Sequence, residues 1–183
     1  MDVSKTIQDI KLELRANMNG VVSSQMREAG LQYHVNFGIE LPRLQQIAAE
    51  FASNHEVAQQ LWHENVRESK ILAGIMMPVD HFDRQLAEVW AEQIPNAEIA
   101  QMTVMNLFAR LPFAVEMAFE WIASSDEMHQ LCGFLLIARL LTQGIQLNER
   151  SEQELLDQAR SLQNSPNLHL RKAVHNVLAR IES

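Results

Sequence analysis

The segment from Pro95 to Leu111 constrains the fold most strongly, because its apolar side chains occupy nearly every angle of a helical wheel. A helix that is apolar all round is buried between neighbouring helices. Pro95 is predicted inside the first turn, where the backbone N–H that proline lacks would have no partner within the helix. Residues 131–138 have the same apolar character. Both runs end in an arginine and fall short of the roughly 20 apolar residues that cross a bilayer. They predict the buried centre of a helical stack and no membrane partner.

The spacing of the prolines indicates how the helices are arranged. Prolines stand at positions 42, 78, 95, 112 and 166, with gaps of 36, 17, 17 and 54 residues. Each one precedes or begins a run with helical periodicity, where a helix tolerates proline. One helix per 17–18 residues means one helix pair per ~35–40, which is typical of repeat families that stack antiparallel helix pairs. Since no window alternates with period two for long, the predicted class is all-α, an α-solenoid of stacked antiparallel helix pairs.

The periodic runs predict the individual helices. Ser4 is predicted to cap the first helix, and a shorter piece spans 22–28 between Gly20 and Gly30. Residues 33–40 are predicted to be an irregular loop, and residues 80–83 to open a helix that continues through Trp90. The remaining predicted helices span 42–53, 55–64, 66–77, 95–111, 113–124, 126–143, 150–163 and 167–181. A chain of 183 residues is most simply one domain, so we predict a single domain over 1–183.

Composition limits the classes of partner. The formal net charge is −8, and residues 51–100 carry eight acids against three bases. An acidic chain is a poor default binder of nucleic acid, although cations dominate after position 160. The start of the sequence lacks a basic segment followed by an apolar run, as a signal peptide would have. The single cysteine, Cys132, lies in an apolar run and has no partner, so a reducing cytoplasm is expected.

Most catalytic signatures are missing from the sequence. The six glycines are isolated, so no phosphate-binding loop is predicted. His55 and Glu56 begin a zinc-protease motif, but Gln59 stands where the second histidine would be. The group Asp80, His81 and Asp83 is better explained as a helix cap and first turn than as a metal cluster. No metal and no cofactor are predicted.

Several segments carry a resemblance to a known family. They are GLQYHVNFGI at 30–39, PRLQQIA at 42–48, RESKILA at 67–73, WIASS at 121–125 and LRKAV at 170–174. In order and spacing they resemble the HEAT-like-repeat DNA alkylation repair glycosylases, the AlkD-like family. The resemblance covers roughly 25–181 and implies HEAT-like repeats, an α-α superhelix, with DNA as a partner.

The resemblance also implies cleft residues that this sequence does not have. Its members carry a tryptophan and, four residues later, a catalytic aspartate, and these positions match Ala97 and Gln101. An aromatic residue and an arginine match Met128 and Gln130 (or Leu131), and a further aromatic matches Asn176. A carboxylate is needed beside the sugar because positive charge develops there as the base departs. The sequence therefore predicts no catalytic residue among the family's cleft positions.

Four cations are candidates for contacts with a DNA backbone: Arg171, Lys172, Arg180 and Lys70. Lys172 and Arg180 lie on one side of the last predicted helix. Because lysine and arginine are usually exposed, a side that simply faces solvent is the simpler interpretation. The same interpretation applies to Lys70 and Arg67, which have acids nearby.

Three functions remain open. The preferred hypothesis is a HEAT-like protein without the catalytic apparatus, acting as a binding or scaffold module. The alternative is an active DNA glycosylase that uses another carboxylate, with Glu98 the first candidate, so enzymatic activity is left undecided. The third is a protein adaptor that uses the acidic residues 51–100.

Overall fold

The computed structural model describes residues 2–182, and this part of the chain is helical without a β-strand. One isolated bridge joins Val35 and Val66. The α-helices are α1 (Val3–Ala16), α2 (Gly20–Glu28), α3 (Leu41–Ala49), α4 (His55–His63), α5 (Arg67–Met76), α6 (Arg84–Glu92), α7 (Ala97–Asn106), α8 (Ala114–Ile122), α9 (Glu127–Thr142), α10 (Glu149–Leu162) and α11 (Leu168–Ile181). Short 3₁₀ turns occupy Val79–His81 and Phe108–Arg110. The predicted all-α class is confirmed.

The chain divides into two compact units, Met1–Phe82 and Asp83–Ser183. In the N-terminal unit α5 packs against α3 and α4, and α1 packs against α4. In the C-terminal unit α9 is the central helix, since α6, α7, α8 and α11 all pack against it. Every residue of 131–138 except Leu135 is buried, as the apolar run predicted. The prediction of one domain over 1–183 stays a prediction.

Close packing in the C-terminal unit depends on one glycine of α9. A Cβ added to Gly133 would lie 2.8 Å from the Ala118 carbonyl oxygen and 2.8 Å from a side-chain carbon of Ile122. Only a residue without a side chain lets the α8 and α9 backbones approach this closely. The close packing of α8 against α9 therefore depends on the small size of the residue at position 133.

The predicted start of α7 was wrong. Pro95 does not lie in the first turn, because the helix begins at Ala97 and Asn96 is its N-cap. The Asn96 side chain accepts a hydrogen bond from the Ile99 N–H at 3.0 Å, which fixes the start. The helix also ends earlier than expected, at Asn106, and a 3₁₀ turn follows. The predicted span of 95–111 thus contains two elements.

Two other predicted starts were also wrong. Asp2, not Ser4, caps α1, since its carboxylate accepts from the Lys5 N–H at 3.2 Å. Residues 80–83 do not open one helix, because a 3₁₀ turn ends at His81 and Asp83 caps α6. The loop predicted over 33–40 is confirmed as irregular. At α1 and α6, two nearby polar residues could each cap the start of the helix.

Candidate functional site

A groove on the C-terminal unit is formed by α7, α9 and α11. Two cavities of about 240 and 210 Å³ share Gln101, Leu135 and Asn176 in their linings, so together they form one groove. The full lining consists of Ala97, Gln101, Val104 and Met105 from α7, Leu131, Leu135, Ala138, Arg139 and Thr142 from α9, and His169, Lys172, Ala173, Asn176 and Arg180 from α11. We call this surface the α7–α9–α11 groove.

Local sequence explains how each helix presents its groove residues. On α7, Gln101 is exposed although Ala100 before it and Thr103 after it are buried. On α11, Asn167 caps the helix by accepting from two backbone N–H groups, which fixes its start. Lys172 and Arg180 then follow at spacings that place them on one helical face. The groove is therefore built on regular helices and not on loops.

The charge of the groove differs from that of the whole chain. The chain has 23 acids against 15 bases. Among the described residues, the groove lining contains Arg139, Lys172 and Arg180 and no carboxylate. The Arg180 Nε donates to Asn176 Oδ1 at 2.9 Å, which holds two groove residues together. The floor of the groove is apolar where Val104 and Leu135 lie. Apart from the His169 imidazole, the described residues of the lining have no ring. Such a surface attracts anions and offers no aromatic platform.

The structure brings together some of the positions that the resemblance pointed to. Ala97, Gln101 and Asn176 all line the groove. Gln130 does not, because its Nε2 donates to the Ser124 carbonyl oxygen at 2.7 Å. Met128 is also missing from the lining. Leu131, the other residue matched to the arginine, is part of it. That these are functional cleft positions stays a prediction.

The four candidate cations divide into two groups. Lys172 and Arg180 line the groove, whereas Arg171 donates to the Ser165 carbonyl oxygen at 2.7 Å, in the connection before α11. Lys70 lies in the N-terminal unit, where its Nζ donates to the Trp62 carbonyl oxygen at 2.7 Å. Its ammonium lies 4.6 Å from the centre of the Trp62 ring, and burial lowers the pKa of Lys70. Lys70 is thus held by local contacts.

Arg139 is the groove cation that the sequence reasoning did not single out. It lies in the last turn of α9, where a cation also complements the helix dipole. The signal was the arginine that ends the apolar run of 131–138. Without knowledge of which helices pack beside α9, that arginine could not be assigned to a site.

The carboxylates of the C-terminal unit lie elsewhere. Glu98 is in the first turn of α7 and does not line the groove. Glu88 accepts from Trp121 Nε1 at 2.7 Å, and its other oxygen lies 3.3 Å from His129 Nε2. The His129 Nδ1 in turn lies 2.9 Å from Asp126 Oδ1, and this contact is the main reason that the pKa of Asp126 is lowered. This cluster joins α6, α8 and α9.

Metal ligands and the cysteine thiol are the other candidates for chemistry. No three His, Cys, Asp or Glu side chains within residues 2–182 are arranged to hold a metal ion. Burial raises the pKa of the Cys132 thiol to about 12, so this thiol is not a nucleophile at neutral pH. Within the same range, no helix has the length and apolar character needed to cross a membrane.

The fold and the groove define the class of this protein, an all-α repeat protein with a cationic groove. A structure search finds a chain described as "A new family of proteins related to the HEAT-like repeat DNA glycosylases with affinity for branched DNA structures". The TM-score is 0.85 at 19% identity, over 96% of this chain and 75% of that chain. This similarity confirms the predicted HEAT-like solenoid fold.

The family follows from the sequence itself. Residues 10–182 match the model of a family described as "DNA alkylation repair enzyme". No curated protein matches the sequence. Because the match extends over nearly the whole chain, this protein belongs to the DNA alkylation repair enzyme family, as the resemblance predicted.

Proposed function

We propose that this chain binds the sugar–phosphate backbone of DNA in the α7–α9–α11 groove and does not excise bases. The carrying observation is that Arg139, Lys172 and Arg180 line the groove while no described carboxylate does. In a chain of net charge −8, this local excess of cations is the feature most suited to a polyanion. The protein would then be a non-catalytic DNA-binding module of its family.

Among the described residues, the groove lining lacks the side chains that base excision needs. Breaking the glycosidic bond develops positive charge on the sugar, and an adjacent carboxylate stabilises it. Gln101 stands where the resemblance expects aspartate, and a neutral amide cannot supply that stabilisation. A cationic alkylated base is held by aromatic faces, and the described lining has no phenyl, phenol or indole ring. The amide of Gln101 is suited to hydrogen bonding instead.

The spacing of the groove cations suits contacts with a DNA backbone. Lys172 and Arg180 are eight residues apart on α11, about 12 Å along the helix axis. Arg139 approaches the same groove from α9. Cations at this separation can contact different phosphates of one strand, and the apolar floor can face the sugars. The structural neighbour's described affinity for branched DNA makes junctions the first substrate to test.

The test is a titration of labelled duplex and branched DNA at several salt concentrations. The variant Arg139→Gln/Lys172→Gln/Arg180→Gln should bind at least tenfold more weakly at moderate salt. Its slope of log affinity against log salt should become shallower by about 1 for each phosphate that the missing cations no longer neutralise.

A matched control is Lys5→Gln/Arg15→Gln/Arg150→Gln, which removes three exposed cations outside the groove. It changes the net charge equally and should leave the salt slope within about 0.5 of the original. Equal weakening by both variants, or no binding by the unaltered protein, would contradict the proposal.

The alternative of an active glycosylase makes a different prediction. Incubation with duplex DNA containing methylated purines should release no base if the proposal is correct. Release of a base that Glu98→Gln abolishes and Glu92→Gln preserves would establish the alternative. The geometry of the groove does not favour Glu98 as that carboxylate, since Glu98 is absent from the lining.

A further inference from the structure

A separate pocket in the N-terminal unit has a lining rich in hydrogen-bond donors. It has a volume of about 260 Å³ and is bounded by α2 and residues 31–36. Arg27, in the last turn of α2, lines it together with Gln32, Tyr33 and His34. No carboxylate of the described residues belongs to the lining. We call it the Arg27 pocket.

The guanidinium of Arg27 is the only permanent charge that the described residues bring to that lining. The nearest acid along the chain is Glu28, whose Oε1 accepts from the Ser24 hydroxyl at 3.3 Å. The other polar side chains of the lining each carry an N–H or O–H donor, and they belong to Ser23, Gln32, Tyr33, His34 and Asn36. A fixed cation among several neutral donors, with no carboxylate, is the arrangement that recognises an oxyanion.

Residues 31–36, which form one wall of the pocket, continue into a segment that is held by side-chain hydrogen bonds although it has no regular structure. Glu68, which is fully buried, accepts from the Phe37 N–H at 3.0 Å and from the Ile39 N–H at 3.3 Å. The Ser23 hydroxyl donates to the Asn36 carbonyl oxygen at 3.0 Å and so ties the wall to α2. The backbone on this side of the pocket is therefore already held in place, so its ordering would oppose binding of a ligand only weakly.

Gly38 allows this wall to lie against α2. Its φ is +70°, and a Cβ there would lie 2.3 Å from the Asn19 carbonyl oxygen. Only glycine accepts both the left-handed backbone and the close approach. The close approach of residues 36–38 to the start of α2 thus depends on this glycine.

We propose that the Arg27 pocket binds one phosphate group, either free or as the terminal phosphomonoester of a nucleotide or strand. The planar guanidinium can donate two parallel hydrogen bonds to phosphate oxygens. The remaining oxygens suit the donors of Gln32 and His34. A volume of about 260 Å³ is below the roughly 300–1,000 Å³ of pockets that enclose whole drug-sized ligands, so a small anion or one end group fits it best.

The test is an NMR titration of the full chain with inorganic phosphate, in which chloride keeps the ionic strength constant. The backbone amides of Gln32, Tyr33 and His34 should shift with a single saturating curve. Arg27→Gln should weaken phosphate binding at least about tenfold, as expected for removal of a charge-assisted bidentate contact. His34→Gln should weaken it by a smaller factor, about two- to fivefold, as expected when one neutral donor is exchanged for another.

The matched control is Arg15→Gln. Arg15 is an exposed arginine in the last turn of α1, as Arg27 is in the last turn of α2. Its replacement should leave the phosphate affinity within twofold. Absence of saturation up to tens of millimolar phosphate, or equal weakening in the two variants, would overturn the proposal.

Two further arms identify the source of the phosphate and separate this proposal from the groove. A dinucleotide with a 5′-phosphate should bind more tightly than the same dinucleotide with a 5′-hydroxyl if the natural ligand is a terminal phosphomonoester. Equal affinity for free phosphate and for the phosphorylated dinucleotide would indicate the free anion. The triple groove variant should retain phosphate binding in the Arg27 pocket, so that failure of either site leaves the other measurable.

Discussion

The two units of this protein use charged side chains in opposite ways. In the N-terminal unit, Arg67 and Glu68 are 3% and 0% exposed, and their side chains form an ion pair at 2.9 Å. In the described part of the C-terminal unit, the buried polar residues are Thr103 and Ser165, and no charged residue is buried. The C-terminal unit keeps its cations at the surface, where three of them line the groove.

The difference follows from what each unit must satisfy. The N-terminal unit contains the irregular residues 32–39, which belong to no helix, so their peptide groups need other hydrogen-bond partners. Glu68 accepts from two of these N–H groups, and Arg67 donates to the Ile39 carbonyl oxygen at 2.9 Å. A buried peptide group without a hydrogen-bond partner lowers stability. The buried charged pair therefore supplies hydrogen bonds that a helix would otherwise make within its own backbone. Where the backbone is helical, no such pair is needed.

The largest expected effect tests this substitution directly. Glu68→Gln keeps the size of the side chain but removes the negative charge that pairs with the buried Arg67. We expect the free energy of unfolding to fall by about 3–5 kcal/mol, because one partner of a buried pair has been removed. Urea denaturation measures the change.

Glu182→Gln provides the matched control for that change. Glu182 pairs with Arg160 at 3.2 Å, and both side chains are 53% exposed. Removal of this exposed pair should change the free energy of unfolding by less than about 1 kcal/mol. If the two variants lose similar stability, the contrast between the units is wrong.

The C-terminal unit should be more sensitive to volume than to charge. Gly133→Ala adds a methyl group 2.8 Å from the Ala118 carbonyl oxygen, where α9 packs against α8. We expect a net loss of about 1–2 kcal/mol, since overpacking costs roughly 1–3 kcal/mol and the helix propensity of alanine returns up to about 1. Gly20→Ala, with nothing within 4 Å of the added carbon, should be neutral or stabilising. A destabilisation of Gly20→Ala equal to that of Gly133→Ala would contradict this account.

The smallest effect concerns a surface charge of the C-terminal unit. The contact with His129 lowers the pKa of Asp126 below its usual 3.8. A lowered carboxyl pKa stabilises the fold above the pKa of the unfolded chain, and this stabilisation is lost as the pH falls below about 3.8. Since the Asp126 side chain is 59% exposed, solvent screening limits the contribution to less than about 1 kcal/mol.

Asp126→Asn isolates that contribution, because asparagine caps a helix about as well as aspartate. The variant should be less stable than the original at pH 5–6, and the difference should shrink below pH 4. Chemical denaturation at a series of pH values measures it. A difference that stays constant with pH would show that the charge of Asp126 has no part in stability.

The sequence predicted the helices well and their starts less well. The apolar periodicity determines which segments are helical, because burial of one face favours a single register. The starts of α1 and α6 were misplaced because more than one nearby residue could cap the helix. The start of α7 was misplaced because Pro95 also suits a first helical turn. Ser4 and Asp2 differ little as caps in a sequence, and only the folded backbone selects Asp2.

The buried pair was also beyond sequence reasoning. Arg67 was predicted on a solvated face, as an arginine near acids usually is, and this prediction was wrong. Neighbouring residues in a helix do not face each other, so their spacing gave no sign of a pair. The need for the pair arises from residues 32–39, about 30 positions earlier in the chain.

The sequence by itself determined the helical class, the buried character of 131–138 and the family, because local periodicity and ordered motifs are properties of the chain. The tertiary structure decided which cations share a surface and which are locked in local contacts. Arg139 and Arg180 are 41 positions apart and line one groove, whereas Arg171, beside Lys172, lies outside it. Whether residues of different helices lie close together depends on how those helices pack, and the sequence positions of the residues do not reveal this.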